Sequence, residues 1–93
     1  DCIPILCACV DEAGNKWFCN CTEFRYCERW TIYPTTEERI QAAIRKELTY
    51  KEAFGKSATT AYVYNIDYIT GKESLSEVLI NELSATDALP DGW

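Results

Sequence analysis

Ninety-three residues make one domain, and 47% of them are apolar, enough for a modest core. The net charge of −6, with nine basic residues scattered along the chain, excludes the basic face that nucleic acid requires, disfavours anionic membrane, and serves solubility. No apolar run approaches the roughly 20 residues that span a bilayer, so no membrane insertion is expected, and the missing initiator Met predicts a processed chain.

All six cysteines fall between Cys2 and Cys27. The single domain therefore reads as a stapled part, residues 1–27, and a cysteine-free part, residues 28–93. Residues 3–10 and 16–24 are β-rich in type. The turn signal Asp11-Glu12-Ala13-Gly14-Asn15 lies between them, where Gly and Asn tolerate positive φ. This predicts a hairpin. Residues 28–33 predict a third short strand, ended by Pro34, which cannot donate to a ladder.

Thr35-x-x-Glu38 is a capping box, and Ile40, Ala43, Ile44 and Leu48 follow at helical spacing, with Glu47 and Lys51 as an i,i+4 pair. The helix either runs to Phe54, with Gly55 as its stop, or breaks near Thr49, whose own Thr-x-x-Glu with Glu52 marks a second start. Thr59 to Ile69 alternates. Tyr62, Tyr64, Ile66 and Tyr68 share one side, which predicts a strand whose aromatic side is core. The alternative is a binding platform, because tyrosines make good interface anchors. Thr70-Gly71-Lys72 turns the chain. Ser74 to Glu77 is a further capping box, followed by Leu75, Val78, Leu79 and Leu83 on one helical face. The tail from Asp87 to Trp93 reads as irregular.

The predicted class is α+β: a small antiparallel sheet that includes a disulfide-stapled N-terminal hairpin, with two helices on one face. Ferredoxin-like and cystatin-like arrangements are alternatives.

The cysteine spacing is C-x4-C-x-C-x9-C-x-C-x5-C. Folding at Gly14 sets Cys9 opposite Cys19, Cys7 opposite Cys21 and Cys2 nearly opposite Cys27, with both Cys-x-Cys pairs on one side of the hairpin beside Ile5 and Trp17. This mirror spacing predicts three disulfides, with Cys2–Cys27, Cys7–Cys21 and Cys9–Cys19 as the first of 15 connectivities. Bonds directly across neighbouring strands are often strained, so the four central cysteines could pair otherwise. Four thiolates on zinc are the competing reading; structural zinc sites use wider spacings and often His, which is absent here. A redox-active Cys-x-x-Cys is also absent. No metal and no cofactor are expected.

Catalysis has little to work with. There is no His, and Ser57, Ser74, Ser76 and Ser84 have no evident activating base. Asp11/Glu12 and Glu37/Glu38 are sequence neighbours in a turn and a helix start, which reads as solvated charge rather than a glycosidase pair. The four glycines are isolated and form no phosphate loop. Arg25 and Arg29 flank Cys27 as a small basic spot or solvated surface. Trp30, Tyr33 and Trp93 have no assigned role.

Size, clustered cysteines, the Asp1-Cys2 start and the acidic α+β body resemble the small cysteine-rich secreted proteins of fungi, the effector and killer-toxin type. The resemblance covers the whole chain without a family-specific motif and carries over no functional residue. It implies a secreted, extracellular, effector-like virulence factor that binds a host protein and is not an enzyme. Small secreted protease inhibitors and the cysteine-rich pheromones of ciliates share the profile. An inhibitor of a protease or other hydrolase is therefore the alternative function, and a pheromone-like signal or a toxin a further one.

Asn20-Cys21-Thr22 is an N-glycosylation sequon, which makes Asn20 a candidate for a sugar. If the cysteine side of the hairpin packs inward, Phe18, Asn20, Thr22 and Phe24 face outward with Leu6, Ala8 and Val10. On that expectation the partner-facing region comprises Asp11, Glu12 and Asn15 of the turn together with Phe18 and Phe24.

Overall fold

The structure, a computed structural model, describes residues 5–55 and 59–89. Five strands, β1 (Ile5–Val10), β2 (Lys16–Glu23), β3 (Cys27–Thr35), β4 (Thr60–Asp67) and β5 (Glu73–Leu79), form one antiparallel sheet in chain order. Helices α1 (Glu37–Ile44) and α2 (Tyr50–Gly55) come between β3 and β4, and a short 3-10 turn, Ile80–Glu82, follows β5. The α+β class with an antiparallel sheet and two helices is the one the residue pattern predicts. The sheet is continuous across residues 27 and 28, so the cysteine-bearing hairpin and the cysteine-free part share one ladder.

Local chemistry explains most boundaries. The β1–β2 turn closes with Asp11 N–H on Asn15 O (2.9 Å) and Gly14 N–H on Asp11 O (3.0 Å), and Gly14 takes φ 89°. The cap of α1 is Thr36 rather than Thr35: its hydroxyl accepts from Arg39 N–H at 3.3 Å. The helix breaks, as the second box suggests. Lys46 adopts φ 61°, and α2 restarts with a reciprocal capping box, Glu52 N–H on Thr49 Oγ1 and Thr49 N–H on Glu52 Oε1, both 3.1 Å. The ladder between β3 and β4 ends at Ile32, so Pro34 sits inside β3 but pairs on the β2 side alone.

One predicted element is wrong in kind. Residues 73–79 form a strand, not a helix. Along β4 the chain presents a row of backbone donors and acceptors. Pairing Ser74, Leu75 and Ser76 with Asn65, Tyr64 and Val63 satisfies them, which an isolated helix could not. Leu75, Glu77 and Leu79 then alternate with Ser74, Ser76 and Val78.

The core lies between the sheet and the helices. Phe18, Tyr33 and Ala61 from the strands meet Ala43, Ala53 and Phe54 from the helices and Leu89 from the C-terminal segment. Phe18 stacks on Phe54 with ring centres 4.2 Å apart, and Tyr33 meets Phe54 edge-on at 5.2 Å. The C-terminal segment is strapped to β3 by polar bonds. Arg29 Nε and Nη2 donate to the two Asp87 oxygens at 2.7 and 2.9 Å, and the Thr31 hydroxyl donates to Asp87 O at 2.7 Å.

Which side of the hairpin packs inward is the reverse of the expectation. Phe18 is 4% exposed and Asn20 fully buried, both on the helix side. The Cys-x-Cys side faces away from the helices.

Candidate functional site

The period of two that buries Phe18, Thr31, Tyr33, Ala61 and Val63 points their neighbours the other way. The second face of the sheet therefore carries Cys7 and Cys9 from β1, Trp17, Cys19 and Cys21 from β2, Trp30 and Ile32 from β3, Tyr62, Tyr64 and Ile66 from β4, and Leu75 from β5. The ladder sets them side by side: Cys9 opposite Trp17, Cys21 opposite Trp30, Cys19 opposite Ile32, Ile32 opposite Tyr62, Trp30 opposite Tyr64, and Tyr64 opposite Leu75. Among the described residues no helix covers this face. A groove of about 400 Å³ on it is lined by Cys9, Trp17, Cys19, Ile32, Tyr62 and Leu75, the last 65% exposed.

Polar groups fix the aromatic rings. Trp17 meets Tyr62 edge-on at 5.9 Å, and its indole N–H donates to Asp11 Oδ2 at 3.0 Å. Trp30 donates to Glu28 Oε1 at 2.7 Å, and the Tyr68 hydroxyl reaches Glu28 Oε2 at 3.4 Å. Burial first, then the charge of the neighbouring Glu73 carboxylate, raises the Tyr64 phenol pKa. Glu28, Glu73 and Glu77 thus edge the face with negative charge, and no Lys or Arg occupies a strand position on it.

No two sulfurs among the five described cysteines lie at disulfide-bonding distance, and Cys2 lies outside the described residues. The hairpin register is offset by two residues from the mirror spacing: Cys7 stands opposite Cys19, and Cys9 opposite Trp17. On the diagonal, Cys9 Sγ and Cys19 Sγ approach to 3.2 Å. Burial first, and then the neighbouring Cys9 and Cys7, push the Cys19 thiol pKa up. Cys27 opens β3 opposite Asp67, on a strand that does not touch β1. Among the described residues no three His, Cys, Asp or Glu side chains are placed to hold a metal ion.

The partner-facing residues expected from the sequence are not brought together. Phe18 is core. Phe24, 47% exposed, follows the far end of β2, about 25 Å from the Asp11–Asn15 turn at roughly 3.3 Å per strand residue. Asp11, Glu12 and Asn15 are exposed as expected, but the Asp11 carboxylate is spent inside the turn. It accepts from Trp17, from the backbone N–H of Ala13 and Asn15, and from the Asn15 amide, which together lower its pKa. Asn20, the sequon residue, has no exposed surface, and its Oδ1 and Nδ2 lack hydrogen-bond partners; a sugar has no exit from that position in this fold. Arg29 is committed to Asp87 and forms no basic spot with Arg25. Tyr33 is core; Trp93 lies outside the described residues.

Sequence reasoning missed Trp17, Trp30, Ile32 and Leu75 as members of one surface. The signal available was the Tyr62/Tyr64 stripe, which it read as core. The chain matches no family model, no curated protein and no solved structure.

Proposed function

We propose that this is a secreted binding protein that docks a partner protein on the open face of its sheet, without catalysis. The observation that carries the reading is that one face of a five-stranded sheet, rich in Trp, Tyr and aliphatic side chains, is left uncovered by the helices. Contiguous apolar surface of this kind marks interaction sites, and Trp and Tyr are the residues that dominate binding energy. The rim of Glu28, Glu73 and Glu77 specifies the partner's chemistry: an apolar centre flanked by Lys or Arg. The resemblance to fungal effectors makes the partner a host protein and the protein a virulence factor. The absence of His and the bond that ties Glu28 to the Trp30 indole support binding over acid–base chemistry.

Parallel affinity capture with wild-type, Leu75→Asp and Phe24→Ser baits tests this. The wild type and Phe24→Ser are expected to retain the same partner and Leu75→Asp to lose it, with retention weakening as salt is raised. Equal retention by all three overturns the reading.

One observation favours the alternative, a hydrolase inhibitor: the Asp11–Asn15 turn is held rigid by the four N–H groups that converge on Asp11. A pre-organised loop costs less entropy on binding. A panel of proteases and glycosidases, inhibited by the wild type and not by Glu12→Ala, would favour it.

A further inference from the structure

We propose that the end of the sheet formed by the β2–β3 and β4–β5 turns is a lipid-contacting surface, which seats on a zwitterionic bilayer interface without crossing it. Exposed apolar side chains concentrate there. Phe24 and Tyr26 occupy the first turn, Tyr68 and Ile69 the second. Ile69, 88% exposed, and Tyr26, 77%, are the most exposed large apolar residues among those described. The two turns are neighbours in space, since Tyr68 N–H donates to Tyr26 O at 3.4 Å. None of the four belongs to the core cluster or lines the groove on the open face. Exposed apolar surface gathered in one place marks a protein or membrane contact.

Both turns are held by their own hydrogen bonds. Glu23 Oε1 accepts from the backbone N–H of Phe24 and of Arg25, both at 2.9 Å. Asp67 Oδ1 accepts from Ile69 and Thr70 N–H at 2.8 and 3.1 Å. Gly71, at φ 71°, closes the second turn with its N–H on Asp67 O at 2.8 Å. Apolar side chains on such pre-organised turns lose little entropy when they are covered. The carboxylates of Glu23 and Asp67 are thereby aimed at their own backbone, while Arg25 and Lys72 are exposed.

Shape and charge favour a bilayer over a protein. The turns lie beyond the last rungs of their ladders, Glu23 opposite Arg29 and Ile66 opposite Glu73, so the apolar side chains stand on tips and line no groove. A soft interface accepts a tip, whereas a protein must offer a pocket shaped to it. Tyr rings suit the headgroup level, apolar in body and polar at the hydroxyl, and Arg25 and Lys72 carry their charges on stems long enough to reach lipid phosphates. The net charge of −6 repels an anionic leaflet, which leaves headgroups of the phosphatidylcholine type. Glu28 and Glu73, on the sheet behind the turns, confine the contact to the turn side chains.

The test uses the whole chain and phosphatidylcholine vesicles, with no partner protein, so its failure is separable from failure of the docking reading. In flotation the wild type should rise with the vesicles. Tyr26→Ser/Ile69→Ser should bind at least about tenfold more weakly, with its denaturant midpoint unchanged. Leu75→Asp, on the open face, should bind as the wild type does. In Ile69→Trp the added indole should emit further to the blue with vesicles and be quenched by acyl-brominated lipid, beyond any change in wild type. Absence of flotation by the wild type, an unaltered added emission, a loss in Leu75→Asp as large as in the double variant, or binding that rises with phosphatidylserine content overturns the proposal. Full vesicle binding by the double variant, with protein capture lost, overturns it too and assigns the turns to a protein.

Discussion

Under the helices the sheet presents Phe18, Thr31, Tyr33, Ala61 and Val63; one position along the same strands, on the open side, it presents Trp17, Trp30, Ile32, Tyr62 and Tyr64. The open side carries the greater bulk on β4, where tyrosines alternate with Ala and Val. Apolar character alone does not decide which side of a strand is buried. Close approach of α2, with Phe54 pressed onto Phe18, requires small neighbours such as Ala53 and Ala61, both without exposed surface. The larger rings are left for the side that has room. The two faces should therefore respond very unequally to substitution.

The sharpest contrast is between rings. Phe18→Ala removes the partner of Phe54 and opens a cavity in the core, with an expected loss of about 3–5 kcal/mol in denaturant titration. Little change would mean that the helices do not bear on this face.

Next in size is the polar strap. Asp87→Ala leaves Arg29 without its two charge-assisted bonds, at about 2 kcal/mol. Arg29's hydrogen bonds hold the Asp87 carboxyl below its ordinary value. Its contribution is accordingly present above the unfolded carboxylate pKa of about 3.9 and lost as the pH falls from there through the folded value. Denaturant midpoints between about pH 5 and pH 2 should fall more steeply for wild type than for Asp87→Asn. Tyr33 reports the same region in alkali. Burial, aided by the Asp87 charge, raises its phenol to about 12. Its stabilisation is thus complete below the unfolded value of about 10 and declines as the pH rises through the folded one. Tyr33→Phe should flatten that decline.

Much of this could be read from the residues, and the misreadings have physical causes. The Thr49/Glu52 box is a local signal, satisfied within four residues, and the structure keeps it. The alternation of residues 60–67 likewise fixes β4. The Ser74/Glu77 pattern is equally local, yet it yields to a long-range demand, the unpaired edge of β4. Which face of β2 is buried was not legible, because Trp17, Cys19 and Cys21 are as apolar as Phe18, and only the distant Phe54 and Leu89 decide between them. For the same reason the residue pattern points to Phe18 and not to the Trp17–Leu75 surface.

Asn20 gives a smaller effect with the opposite sign. Its amide is buried on the Phe18 side of the sheet without partners, so Asn20→Leu, similar in size, should stabilise the fold by about 1 kcal/mol. A lower thermal midpoint would reveal a bond that Asn20 makes. Smallest of all, Leu75→Asp on the open face should change stability by no more than about 0.5 kcal/mol, measured on the same denaturant scale. A loss comparable to that of Phe18→Ala would erase the distinction between the faces.

Strand β1 is the first strand of the sheet, with β2 on one side and, among the described residues, no strand on the other, and its residues Ile5-Leu6-Cys7-Ala8-Cys9-Val10 include neither a charge nor a proline. At the opposite border β5 carries Glu73 and Glu77, which repel a like strand. The two borders therefore differ in their tendency to recruit another chain. Fibril growth or strand exchange, if it occurs at high concentration, should begin at β1. A single Ala8→Lys substitution there should lengthen the lag before aggregation, while the same change in β5 should do little.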